Sequence, residues 1–210
     1  LKKFVYGTYK GFNNRTNVNL DNLYIVFDVS TIGAKNLLPI VMFIATDFVW
    51  SKVKEDRTQD KIVLLDEVWK LINTNDTVAE YVLELYKTIR GYGGGVVCAT
   101  QDLTDFTALK NGMYGNRILS NSSAKIIMKI QSENLNEIRR VFSLTEDEFD
   151  SILAMKKGQG ILISNQDNVM VNVMASEKED RLITTDASKL RGYYGDSKQI
   201  EREQQRRIAG

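Results

Sequence analysis

Short apolar runs, each closed by a polar or acidic residue and spaced by helical patterns, govern what this 210-residue chain can become. KIVLLD, residues 61–66, carries consecutive apolar residues at 62–65 and reads as a strand covered on both faces. LYIVFDV at 23–29 and VVCAT at 96–100 share that character, and a fourth strand is expected at 124–130, after a polar loop that holds Arg117. Between them, an apolar helix is expected at 35–54 with Pro39 in its first turn, where the missing N–H costs nothing. A second, at 77–90, places Val78, Val82, Leu85 and Ile89 on one face, with Thr77 and Glu80 as its capping box.

Helices follow at 134–142 and 145–156. GILIS and VMVNVMA, separated by Asn165-Gln166-Asp167-Asn168, read as a hairpin at the sheet edge. The expected organisation is an irregular opening segment at 1–22, rich in Asn and Gly, then a core at 23–175. A charged tail at 176–210, with a helical pattern, closes the chain. Strands alternating with helices predict an α/β fold with a mainly parallel sheet covered by helices on both faces. Function in such sheets collects at the carboxyl ends of strands, here Asp28, Asp66-Glu67 and Thr100-Gln101.

Composition excludes several chemistries. The chain has no histidine, so a Ser-His-Asp triad and a His-ligated zinc are ruled out. Cys98 is the single cysteine, which rules out an intrachain disulfide and a thiolate cage and suits a reducing cytoplasm. A net charge of +1 argues against a whole-domain electrostatic grip on nucleic acid or anionic lipid, though not against a local basic patch. The most apolar run, residues 37–45 extended by Phe48, Val49 and Trp50, falls short of the roughly 20 residues a bilayer requires. Leu1 is not an initiator Met, and the polypeptide is expected to continue upstream.

The strongest chemical signal is LLDE, residues 64–67. A buried strand cannot hide two adjacent carboxylates, so Asp66 and Glu67 must emerge at its carboxyl end. This is a Walker B pattern. Asp66 would hold Mg²⁺ through water, since Mg²⁺ keeps much of its hydration, and Glu67 would orient or deprotonate the water that attacks a γ-phosphate. A plainer reading stays open, in which the two acids complement the dipole of a following helix.

Gln101 closes VVCATQ where a parallel neighbour would set it beside Asp66-Glu67, and its amide could touch a γ-phosphate; a simple polar strand end is the alternative. Arg90 and Arg117 are candidate guanidinium fingers for a transferring phosphoryl group. For Arg90, an ordinary basic residue at a helix C-terminus serves as well; for Arg117 the alternative is a surface arginine. GYGGGV at 91–96 follows a helix and opens a strand, the reverse of a dinucleotide-binding loop, so its glycines read as a tight turn into the sheet. No G-x-x-x-x-G-K-[ST] occurs, and GTYKG at 7–11 is not one. A loop that cradles the α and β phosphates is therefore expected upstream, unless the chain does not hydrolyse nucleotide.

Several segments together resemble one family. KIVLLDEVWKLI resembles the Walker B of type IV secretion and conjugative-transfer ATPases of the TraC (VirB-type) kind, where Asp-Glu is followed by a small or apolar residue and Trp, here Val68 and Trp69. RGYGGGVVCATQD is similar to the family's arginine, glycine run and Ala-Thr-Gln strand end. GFNNRTNVNLDNLYIVFDVS, NRILSNSSAKIIMK and SEKEDRLITTD also fit, so the resemblance spans about residues 10–190. It extends more distantly to the FtsK and HerA DNA-pumping motors.

The resemblance implies a RecA-like P-loop NTPase core, hexamers, and ATP with Mg²⁺ as fuel. It also implies a cytoplasmic position at the inner face of the cell membrane, beside the membrane components of a secretion or conjugation machine. It assigns Asp66 to the metal, Glu67 to catalysis, Gln101 to sensing the γ-phosphate, and Arg117 to the inter-subunit finger with Arg90 second. The departure is the absent phosphate loop. A DNA-translocating ATPase and a catalytically silent docking subunit are the other two readings.

Overall fold

The computed structural model describes residues 2–15, 21–30, 32, 37–74, 76–101, 103, 112–130, 135–164 and 167–195. The first residues of the helix expected from 35, the turn at 165–166 and the tail beyond 195 lie outside them. In chain order the elements are α1 (Lys2–Val5), a 3₁₀ turn at Lys10–Asn13, α2 (Leu38–Glu55), β1 (Lys61–Asp66), α3 (Val68–Thr74) and α4 (Asp76–Thr88). A 3₁₀ turn at Ile89–Tyr92 leads into β2 (Gly94–Ala99), α5 (Met113–Asn121) and β3 (Ala124–Met128). The chain continues through α6 (Leu135–Phe142), α7 (Glu146–Ala154), β4 (Gln159–Ser164), β5 (Asp167–Asn172), α8 (Glu177–Ile183) and α9 (Ala187–Tyr194).

β1 and β2 pair in parallel, with Lys61 opposite Gly94 and Asp66 opposite Ala99. Two devices set that register at the amino end. The Lys61 ammonium donates to the carbonyls of Asp56, Gln59 and Tyr92, so one charge ties the turn before β1 to the turn before β2. Gly93 ends the 3₁₀ turn at φ 71°, where a Cβ would lie 2.9 Å from the Arg57 carbonyl oxygen and 3.0 Å from that of Gln59. Only glycine fits there.

α4 is the hub of the core because its apolar residues at helical spacing face two neighbours. Ala79, Val82 and Leu83 join Val68 and Ile72 of α3 and Tyr114 and Ile118 of α5. Leu85, with Ile89 just beyond, joins Val53 of α2, against which Val63 and Val96 of the parallel pair are packed. Each such side chain removed from water contributes on the order of 1.5–3 kcal/mol. A separate cluster of Ile127, Ile138, Leu144, Ile152, Met155 and Ile161 joins α6 and α7 to the second sheet.

The structure corrects several expectations. Residues 23–29 form no strand: Leu23, Tyr24, Val26 and Phe27 are exposed, and Phe27 instead meets Phe48 of α2 edge-on at 5.6 Å. An apolar, β-branched run sets a preference for burial but not a ladder partner. Parallel pairing is confined, among the described strands, to β1–β2, whereas β3–β4 and β4–β5 are antiparallel. β1 and β2 are joined by the long crossover through α3 and α4 that a parallel pairing requires, whereas β4 and β5 are only two residues apart in the chain, a separation that allows antiparallel pairing alone.

β1 and β2 are also covered on one face alone by the described elements. Val63, Leu65, Val96 and Cys98 meet helices, while Ile62, Leu64 and Val97 are 77%, 66% and 48% exposed. Arg117 lies on α5 rather than in a loop, and Thr77 lies inside α4 rather than capping it. In the tail, Asp180 of α8 accepts from Lys189 and from the Tyr193 hydroxyl of α9, each at 2.9 Å, which pins the two helices together. Among the described residues no helix is long and apolar enough to cross a membrane.

Candidate functional site

Asp66 is the last residue of β1 and Val68 the first of α3, so Glu67 alone makes the turn from strand to helix. It does so with φ 49°, a left-handed conformation that costs a residue with a Cβ about 1–2 kcal/mol. The fold holds it from both sides. Val68 and Ile72 are fully buried against α4 and α5, which fixes α3, and the Lys70 backbone N–H donates to the Glu67 carbonyl at 2.9 Å. The Glu67 carboxylate in turn accepts from the Trp69 indole N–H at 2.6 Å.

The parallel register brings the rest of the site into line. With Asp66 opposite Ala99, the chain leaves both strands at the same end, where Glu67 follows β1 and Thr100 and Gln101 follow β2. Asp66 and Gln101 are exposed and Glu67 is half-buried, so an acid, a second acid and an amide stand at one open edge. Beneath them Cys98 is half-buried and packs against the core. Burial pushes its thiol up to about 11, and the Tyr86 hydroxyl beside it works the other way. Burial likewise raises Tyr86 far above the usual tyrosine range.

The two arginines are not at this edge through any described contact. Arg90 is exposed in the 3₁₀ turn at the amino end of β2, a strand's length, roughly 17 Å, from the end that bears Asp66. Arg117 is exposed on α5, whose Tyr114 and Ile118 pack in the same cluster as Val68 and Ile72. Among the described residues no hydrogen bond or ion pair joins either arginine to Asp66, Glu67 or Gln101. Asp28, the third strand end the sequence points to, closes a local turn instead: the Ser30 N–H donates to it at 2.9 Å, and its bonds to Ser30 lower its pKa. The contact that the sequence reading misses is Trp69 on Glu67. Its one sequence signal is an indole two residues past the acid, a spacing that predicts no contact within a helix.

Residues 4–205 match the TraG P-loop domain family. The chain belongs to that family. Among its relatives, TraC of Escherichia coli (strain K12) is 28% identical over 148 residues, covering 68% of this chain and 17% of TraC. The type IV secretion system protein CagE of Helicobacter pylori is 27% identical over 145 residues, covering 67% of this chain and 14% of CagE. The structure of VirB4 of Thermoanaerobacter pseudethanolicus superposes with a TM-score of 0.74 at 24% identity, covering 85% of this chain and 49% of VirB4. That likeness shows an α/β P-loop fold for this TraG-family chain. The chain spans less than a fifth of either curated relative and about half of the VirB4 chain.

Proposed function

We propose that this chain is the Walker B half of an ATP-hydrolysing motor subunit that powers a type IV secretion or conjugation machine. The observation that carries the reading is the paired strand end, where Asp66-Glu67 and Gln101 leave adjacent parallel strands on one side of a P-loop-family domain. The name of one relative, a type IV secretion system protein, supplies the secretion machine, and the resemblance to conjugative-transfer ATPases supplies conjugation.

The residues suit Mg²⁺ and a nucleoside triphosphate. Among the described residues no cluster of three or more His, Cys, Asp and Glu is present. Two adjacent carboxylates at this edge fit a hard cation that takes one or two carboxylates and keeps its waters. Asp66 would hold that ion, which would neutralise charge on the β and γ phosphates. Glu67 takes or orients the proton of the attacking water, and the Gln101 amide donates to the γ-phosphate. Residues outside this chain would supply the phosphate loop.

Neither arginine reaches this edge in its own chain through described contacts, which suits a finger that serves a neighbouring subunit's site. Arg117, exposed on α5, is the first choice by the family resemblance, and Arg90 is the second. That role requires an oligomer, a hexamer by family analogy, working at the inner face of the membrane against the machine's membrane components. The test is Mg-dependent phosphate release by the full-length polypeptide that carries this segment. Glu67→Gln is expected to keep ATP binding and lose turnover by orders of magnitude; unchanged turnover would remove the assignment.

A further inference from the structure

A carboxylate that activates water must be ionised and aimed. Glutamate has three side-chain torsions, and an unheld Glu67 would spread over several rotamers at an open strand end. Here it is held. The Trp69 indole N–H donates to Oε2 at 2.6 Å, a short hydrogen bond whose acceptor is a carboxylate. Indole is a donor only, so it stabilises the carboxylate without competing for the proton that a base must take.

Trp69 is itself fixed. It is half-buried, it packs against the Val68–Ile72–Val82 cluster, and the Lys70 ammonium lies 5.3 Å from its ring centroid. The left-handed turn at Glu67 and the first turn of α3 thus bring the two side chains face to face across two residues. The bond uses Oε2 and leaves Oε1 to address the water.

We propose that Trp69 is a positioning residue for Glu67, its indole N–H aiming the carboxylate that activates the attacking water. This rests on the reading of Glu67 as the water-activating acid. Trp69 touches neither water nor phosphate and acts through Glu67.

The test is steady-state ATP turnover by the full-length polypeptide. It compares Trp69→Phe, Trp69 replaced by 3-benzothienylalanine (the same ring shape with sulfur in place of N–H), Glu67→Gln, and Trp69→Phe combined with Glu67→Gln. Both Trp69 replacements are expected to lower kcat about ten- to a hundredfold with KM for ATP within about twofold, the pattern of a lost transition-state contact. In the Glu67→Gln background Trp69→Phe is expected to change nothing further, because the group it aims is gone. The benzothienyl replacement preserves the packing, so it decides the matter if Trp69→Phe misfolds.

Wild-type kcat in the benzothienyl protein, beside an inactive Glu67→Gln, would overturn the role of Trp69 alone. Wild-type turnover in Glu67→Gln would overturn the reading of Glu67 on which that role rests.

Discussion

Asp66 and Ala99 are register partners in the parallel β1–β2 ladder. Because parallel strands leave the sheet at the same end, that pairing decides which side chains share an edge. Backbone hydrogen bonds place Asp66 at that end, with Glu67 one residue past β1 and Gln101 two residues past β2.

Gln101 is therefore expected to matter for turnover rather than for folding. It is exposed, so Gln101→Ala removes no packing. As a donor aimed at charge that develops on phosphate, its loss should lower turnover about a hundredfold while ATP binding changes little. Phosphate release and nucleotide titration on the same preparation check this. Wild-type turnover in Gln101→Ala would leave it a plain strand end.

The end of β1 is legible in the sequence; its surroundings are less so. LLDE announces a strand that ends in two acids because apolar residues and adjacent carboxylates cannot share a buried strand, and β1 ends at Asp66. The face of α4 is legible for the same reason, since Val78, Val82, Leu85 and Ile89 repeat at helical spacing and are all buried. What the pattern does not carry is partnership. LYIVFDV states that its residues prefer burial, yet Phe27 finds Phe48 rather than a ladder. Nor does it carry the bond from Trp69 to Glu67, which depends on a left-handed backbone at a residue with a Cβ.

Cys98 is expected to be inert. It lies in β2 against the buried cluster, and burial pushes its thiol up to about 11. The reactive thiolate is therefore scarce until the pH approaches that value. Alkylation at about pH 8, followed by mass spectrometry of the Cys98 peptide, should find it unmodified in the native protein and modified once the protein is denatured. Fast labelling of the native protein would contradict this burial.

α7 offers a pH test of the fold. Thr145 and Glu148 form a reciprocal cap, and Glu148 also accepts from Asn168 of β5 at 2.7 Å. The Thr145 backbone N–H and then Asn168 hold the Glu148 carboxyl below its usual 4.5. A carboxylate lowered on folding contributes stability above its unfolded value, and that contribution disappears as pH falls through its folded value. Glu148→Gln keeps a capping partner but does not titrate. The difference in Tm between wild type and Glu148→Gln should be present near neutrality and close below about pH 4. Thr145→Ala, which removes the acceptor of the Glu148 N–H, should cost about 1 kcal/mol at neutral pH.

The placement of Arg117 leads to a mixing experiment. An arginine that serves its own active site fails wherever its own subunit is mutated, but one that serves a neighbour can be complemented. Arg117→Ala should lower turnover about a thousandfold or more, as loss of a finger does in other phosphoryl-transfer enzymes. Subunits bearing Glu67→Gln are equally inactive yet still present an intact Arg117. When the two inactive proteins are mixed and allowed to exchange, some interfaces join a wild-type Glu67 site to a wild-type Arg117. Those interfaces should restore measurable phosphate release. Arg90→Ala provides the comparison: if Arg90→Ala mixtures recover activity and Arg117→Ala alone is near wild type, the finger is Arg90. If neither mixture recovers although both single variants are inactive, the arginines act within their own subunit, and the inter-subunit assignment is wrong.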